Sequence, residues 1–249
     1  WPSPQRRAAD LAPAQPAGSA LATSAPLPDA DPPLLALDDL ARDLADAPGA
    51  FLRRLGLRLE AQGLVIDDDE RLVLDDSLES WRLRDLLAAR LRDGGDADAC
   101  LDRWQAEGRV PRHAWGRLQA RPLVEQARSL AETEVWQEVT TGHQTLRLDG
   151  DGLTVEALLT DLHPESGPVV AHAGALQPRL LLRAHLAGLC HQAVGGTGGG
   201  LVLALDLRQH RVLRLALPPT DDAPAALRRA IEAWRLIRQR PLPFTAEVL

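Results

Sequence analysis

The sequence predicts an α+β protein, a helical N-terminal part followed by a mixed β-sheet with helices packed on it. Three observations carry this. Between residues 77 and 137 apolar side chains recur at helical spacing, as in Leu78, Trp81, Leu83, Leu86 and Leu87. From Thr145 the period changes, and apolar and polar residues alternate through Leu148 and again from Leu153 to Leu162. Between those two runs stands Asp149-Gly150-Asp151-Gly152, and Asp-Gly flanked by alternating runs is a strong hairpin signal.

Residues 1–33 hold eight prolines among Ala, Ser and Asp with no periodic apolar signal, so they are expected to be a disordered linker, with order beginning near Leu34. Residues 37–46 are expected to form a helix, with Asp38 and Asp39 where acids suit the positive helix end. Pro48-Gly49 should break it, with a short second helix over 50–56. Leu57 and Leu59, with Leu64 and Ile66 beyond, suggest extended or irregular chain, and Asp67-Asp68-Asp69-Glu70 a solvated loop. Helices are then expected over 77–92, ended by Gly94-Gly95, over 97–107, and over 112–137 with a break around Pro122. In the last stretch Trp115, Leu118, Leu123, Ala127, Leu130 and Trp136 are the expected core. After the hairpin, residues 168–173 read as a third strand and 178–193 as a buried helix. The run Gly195 to Gly200 reads as a flexible turn, 201–207 and 212–217 as strands, and 222–239 as a final helix stopped by Pro241. On that helix Leu227, Ala230, Ile231, Trp234 and Ile237 share one side, and Arg228, Glu232 and Arg235 another. The expected organisation is a linker over 1–33, a helical subdomain over 34–140 and an α/β core over 141–249, the last two forming one structural unit.

Composition narrows the function. Lys, Asn, Tyr and Met are absent from the 249 residues, so every basic side chain is Arg, always charged and suited to phosphate or carboxylate. The net charge of −7 argues against a stand-alone binder that holds nucleic acid by neutralising phosphates. It leaves room for a local arginine patch or an acidic face that meets a partner. No apolar run approaches the roughly 20 residues of a membrane span. The opening Trp1-Pro2-Ser3-Pro4 lacks an initiator Met and the order of a signal peptide, so the chain reads as a piece of a longer one. Two cysteines, Cys100 and Cys190, read as free thiols, which suits a reducing cytoplasm.

Several motifs are weighed and set aside. Gly195-Gly196-Thr197-Gly198-Gly199-Gly200 follows a helix, precedes a strand and lacks Lys-Ser/Thr, the wrong context for a phosphate loop. His185 lies five and six positions from Cys190 and His191, off any shared helix face, so no metal set is assigned. No cofactor is implied. The tryptophans mostly sit on apolar faces. Trp115 differs, because Arg112, His113 and Arg117 flank it, and it is a candidate contact for a nucleic-acid strand or a partner together with Arg112 and Arg117. Arg228, Arg235 and Arg238 on the last helix form a second candidate contact, for an acidic partner surface, against the plainer reading of a solvated face.

Certain residues carry a family resemblance. These are Leu37-Asp38-Asp39-Leu40 with Pro48 and Phe51; Arg54-Leu55-Gly56; the Trp81–Leu87 helix start; Arg109-Val110-Pro111 with Trp115-Gly116; and Pro241-Leu242-Pro243-Phe244. Together they resemble the C-terminal region of RecC, the gamma subunit of RecBCD-type exodeoxyribonuclease V, over about residues 34–244. Ala157 departs from a common family Gly, and the aromatic pattern is thinned to two Phe and no Tyr beside the tryptophans.

The resemblance implies a non-catalytic subunit of a helicase–nuclease that processes double-stranded DNA ends, with inactive helicase-like domains before residue 1. It implies RecB-like and RecD-like partners, a C-terminal part that helps split the duplex, no membrane, and a degenerate restriction-endonuclease-like core. In active nucleases of that fold, a strand supplies an Asp and the next a carboxylate-x-Lys triplet, which hold Mg²⁺ at the scissile phosphate. Here the first slot aligns with Thr160, or by a one-residue slip Asp161, and the triplet slots with Ala171 and Ala173. Methyl groups bind no metal, so no catalytic and no metal residues are expected. Asp161 with Glu165 remains as a residual metal pair, against the plainer reading of strand-end carboxylates in a turn. An active Mg²⁺-dependent nuclease is the alternative function.

Overall fold

A computed structural model describes residues 34–57, 77–150, 153–209 and 211–240, with residues 32, 74 and 242; at 77, 141–144, 149 and 150 it describes the backbone alone. The expected linker apart from residue 32, the acidic block 67–70, the hairpin tip 151–152, Pro241 and Pro243-Phe244 lie outside the described residues.

Among the described residues the chain forms six strands and eight helices. In order they are β1 (Leu34–Ala36), α1 (Leu37–Ala45), α2 (Ala47–Arg54), α3 (Ser77–Arg92), α4 (Ala97–Ala106), α5 (His113–Ala131), α6 (Glu134–Gln137), β2 (Thr140–Gly150), β3 (Leu153–His163), β4 (Gly167–His172), α7 (Pro178–Ala193), β5 (Leu201–Asp206), β6 (Arg211–Ala216) and α8 (Ala223–Gln239). The strands make one mixed sheet, ordered β1-β3-β4-β5-β6 with β2 paired to β3. The Asp-Gly hairpin is present, β2 and β3 running antiparallel with Gly150 opposite Leu153. β4 and β5 are parallel, joined through α7, and β5 and β6 antiparallel. The α+β expectation holds.

Helices cover both sides of the sheet. β5 shows why: Leu201, Leu203 and Leu205 pack among α3, α4 and α5, whereas Val202 packs on α7 against Leu180 and Ala184. A strand buried on both faces loses the alternation and reads as a continuous apolar run. α1, α2, α7 and α8 share a core with Leu153, Val155, Ala157 and Leu159 of β3. The helices before residue 140 therefore divide between the two faces.

Four local expectations change. β1 was not anticipated as a strand; it pairs parallel with β3, Leu35 opposite Val155, and its partner lies too far along the sequence for a three-residue run to announce it. Pro48-Gly49 does not break the first helix. The interruption falls at Asp46, whose carboxylate accepts from Gly49 N at 3.0 Å, and Pro48 sits in the first turn of α2 where its missing N–H costs nothing. Pro122 does not break α5. It is exposed, and the buried stripe Gly116, Ala120, Leu123, Ala127 and Leu130 holds the helix through the loss of one hydrogen bond. That same stripe corrects two core assignments, because Trp115 and Leu118 point outward at 55% and 59% exposure. At the start of α5 the preceding loop folds back on the helix so closely that a Cβ on Gly116 would overlap the Pro111 carbonyl oxygen.

The glycine turn after α7 is a packed joint. A Cβ on Gly188 would stand 1.9 Å from the Gly199 carbonyl oxygen, and Gly198 and Gly200 have φ of 78° and 112°. Next to it, burial pushes the Cys190 thiol up to about 12. At pH 8 Cys190 stays protonated and enclosed. Iodoacetamide is expected to label the half-buried Cys100 of the folded chain and spare Cys190, read by peptide mass mapping; equal labelling would contradict the packing.

Candidate functional site

The residues aligned with a nuclease triplet lie where β4 ends and its loop runs toward α7. Ala173 is fully buried, and α3 closes over it. Ala173 N donates to Asp85 Oδ1 at 3.3 Å, and Arg84 Nη1 donates to the Ala173 carbonyl at 2.7 Å. The next carbonyl, of Gly174, accepts from Leu205 N of β5 at 2.9 Å. His172 is 7% exposed and its ring lies 5.4 Å from that of Trp81, centre to centre.

Asp161 is held differently. Its Oδ1 accepts from Arg92 Nη1 at 2.9 Å, with both side chains mostly buried. The Arg92 guanidinium also lies 4.8 Å over the Trp136 ring. A fixed cation thus occupies the face of the carboxylate that a metal would need. Glu165 does not join it. Glu165 is exposed in the turn after β3, where its N–H and that of Ser166 donate to His163 Nδ1 at 3.3 and 3.1 Å. With Nδ1 accepting, His163 Nε2 is the donor to Glu138 Oε2 at 3.2 Å. Among the described residues no three His, Cys, Asp or Glu side chains gather as a metal-holding group. Thr160 is exposed on the outer face of the hairpin.

The two arginine-bearing candidate contacts stand apart. Arg112, Trp115 and Arg117 sit at the start of α5, on one side of the sheet; Arg228, Arg235 and Arg238 lie on α8, on the other. Arg117 is paired with Asp102 and Asp98 of α4, a mutual neutralisation on the surface. His113, between Arg112 and Trp115, has φ of 63°, a left-handed conformation rare outside glycine, while Gln105 Nε2 donates to the carbonyls of Pro111 and His113 at 2.7 and 2.8 Å. Arg228 is exposed and Arg235 half-buried, sharing one face of α8. Arg238 turns inward instead, stacked 4.3 Å over the Trp234 ring.

Arg92, Arg84, Asp85 and His172 were not singled out in the sequence. Their partners lie 69 to 91 positions away, and single-chain patterns carry no signal across that distance. His172 also carries a pH signature. Burial first, then the charges of Arg179 and Arg84, lower its pKa below 6.5 against the opposing pull of Asp85. Burial likewise lowers those of His185 and His191. The unfolded chain then binds more protons than the folded one at and below pH 6.5, so stability falls on acidification through that range. Melting temperature is expected to drop from pH 7.5 to pH 5.5, and His172→Gln should shrink the drop.

No helix among the described residues is long and apolar enough to cross a membrane. A family model described as the RecC C-terminal domain matches residues 32–248. No curated protein matches the chain.

Proposed function

The chain belongs to the RecC C-terminal domain family, that of a subunit of RecBCD-type exodeoxyribonuclease V in DNA repair, and from that premise we propose that it is a non-catalytic module of that subunit. In this reading it scaffolds the complex with RecB-like and RecD-like subunits and guides double-stranded DNA ends during repair by homologous recombination. In the same reading a helical region precedes a degenerate nuclease-like core, and the two act as one unit.

The observation that carries the non-catalytic assignment is the Arg92–Asp161 pair. Two-metal or one-metal phosphodiester hydrolysis needs carboxylates open to the ion. Here the one acid near the first slot is bonded to a guanidinium, and the triplet slots present methyl groups, one of them sealed by α3. Arg cannot act as the titrating group in place of Lys.

The test of inactivity is direct. The purified chain, incubated with linear DNA and Mg²⁺, is expected to cleave no faster than buffer. Mg²⁺-dependent cleavage that Asp161→Ala abolishes would establish the alternative, an active nuclease. For scaffolding, the measurement is recovery of the RecB-like and RecD-like subunits with the tagged chain. Arg228→Glu with Arg235→Glu is expected to reduce recovery several-fold, a loss of charge complementarity across a docking face. Arg112→Glu with Trp115→Ala is expected to weaken binding to DNA ends instead. Unchanged recovery and unchanged binding in these variants would remove both surfaces.

A further inference from the structure

β6 ends the sheet, and among the described residues no further strand pairs with it. Its ladder to β5 starts with Leu217 N donating to the Gly200 carbonyl at 2.9 Å, and runs without a bulge from Leu201 opposite Ala216 to Asp206 opposite Arg211. In an antiparallel pair every second couple exchanges hydrogen bonds, and the couples between turn their backbone groups away. Leu213 and Leu215 therefore bond to β5, whereas Val212, Arg214 and Ala216 point N–H and C=O to the open edge. β5 keeps the same alternation: Leu205 N, opposite Val212, donates away from β6, to the Gly174 carbonyl at 2.9 Å. Arg211, Arg214, Leu215 and Ala216 are exposed, and neither proline nor bulge blunts the strand. An edge this open is a template for another strand. Its charge is one-sided. Residues 206–216 hold Arg208, Arg211 and Arg214 against one acid, Asp206, in a chain of net charge −7. Arg211 lies 3.7 Å from Asp206, while Arg208 and Arg214 make no ion pair among the described residues. On α5, by contrast, the exposed Arg117, Arg121 and Arg128 each face an acid.

We propose that β6 takes up an acidic, extended segment of a partner subunit as an added strand. The outward N–H and C=O groups of Val212, Arg214 and Ala216 give the hydrogen bonds, and Arg208 and Arg214 the preference for acid. The proposal rests on the reading that this chain works inside a complex of subunits. Only an extended backbone presents donors and acceptors at the repeat this edge requires. Successive side chains of β6 alternate between the sheet faces, so Leu213 and Leu215 share one face and Arg214 lies on the other. A segment with apolar residues beside the leucines and acids beside Arg214 matches both. A second copy of this chain is the poorer occupant, because it brings three more arginines to the same edge.

The test uses the full chain with the RecB-like and RecD-like subunits. On assembly, amide hydrogen exchange read residue by residue is expected to slow at Val212, Arg214 and Ala216. It should change little at Leu213 and Leu215, whose N–H groups are already bonded to β5. Arg214→Pro deletes one outward N–H and no bond to β5, a change that edge strands tolerate. Its melting temperature should stay near wild type while subunit affinity falls about tenfold, the worth of one strand-to-strand hydrogen bond. Arg208→Glu with Arg214→Glu keeps the backbone whole, and decides if proline unfolds the chain. It should weaken affinity several-fold, an effect that fades as salt rises. Unchanged affinity in either folded variant overturns the proposal. So does slowing that is uniform or absent along 211–216, which would mean side-chain contact or none. Slowing at the three outward amides in the chain alone, growing with its concentration, would assign the edge to a second copy, also against the proposal. If wild type recovers neither subunit, the scaffold reading falls as well. If it recovers both and the edge amides stay fast, the added strand alone is wrong.

Discussion

Trp234→Ala is expected to cost about 4 kcal/mol of folding stability, enough to leave a domain of ordinary stability marginal. Trp234 is 2% exposed and sits among Leu40, Ala50, Leu227, Ile231 and Ile237, where α8 meets α1 and α2. Its loss removes the bulk of that joint and leaves a cavity. It also strips a partner from a buried acid. Trp234 Nε1 donates to Asp43 Oδ2 at 3.0 Å, and Asp43 is 8% exposed. The other carboxylate oxygen accepts from Arg53 Nε and Nη2 at 3.2 and 2.8 Å. Removing the indole leaves the carboxylate half satisfied in a dry place. Arg238 loses the ring it stacks on as well. Urea unfolding followed by far-ultraviolet circular dichroism measures the loss. Trp234→Phe separates the contributions: it keeps most of the volume and should cost about 1–2 kcal/mol, chiefly the unmade hydrogen bond. A Trp234→Ala chain as stable as wild type would mean that α8 does not pack on α1 and α2 as described.

Arg92→Ala is the second large effect, expected near 3 kcal/mol. The reason is asymmetry. With the guanidinium gone, Asp161 keeps a mostly buried negative charge near the end of β3 with no counter-ion, and Trp136 loses the cation over its face. Asp161→Ala should cost less, because Arg92 retains Trp136 and a second acid, Asp93, at 3.5 Å. The double variant is then expected to be more stable than the two single losses added, with a coupling of about 1–2 kcal/mol. An exposed pair such as Arg121–Glu125 on α5 serves as the control and should give no more than about 0.5 kcal/mol. Additive single and double variants would show that the Arg92–Asp161 bond is not formed in solution. Chain with Arg92→Ala also bears on function, since it uncovers the carboxylate: with Ala171 and Ala173 unchanged, Mg²⁺-dependent cleavage is still expected to be absent.

The order of elements was legible from residue pattern because it is set locally. Period-2 alternation marked β2 and β3, Asp-Gly marked their turn, and the apolar stripe Leu227, Ile231, Trp234 and Ile237 marked the buried side of α8. The missing triplet was legible for the same reason, since the aligned residues Ala171 and Ala173 lack ligating groups whatever surrounds them. Where local signals misled, packing distance overruled them. Apolar Trp115 and Leu118 looked like core and face outward, because the buried side of α5 runs through Gly116, Ala120, Leu123 and Ala127 instead. Pro122 looked like a stop and is carried by the buried stripe beside it.

The candidate site divides in the same way. Sequence alone determined which side chains exist to do chemistry: an all-arginine set of cations, no triplet, and tryptophans on helix faces. Only the folded chain decided which of them meet. Arg92 reaches Asp161 across 69 positions, and Arg84 and Asp85 reach Ala173 across 89 and 88, because α3 is pressed on the sheet by Leu83 and Leu87. Such contacts follow from burial of an apolar face, which positions the neighbouring polar residues without leaving any mark in their spacing.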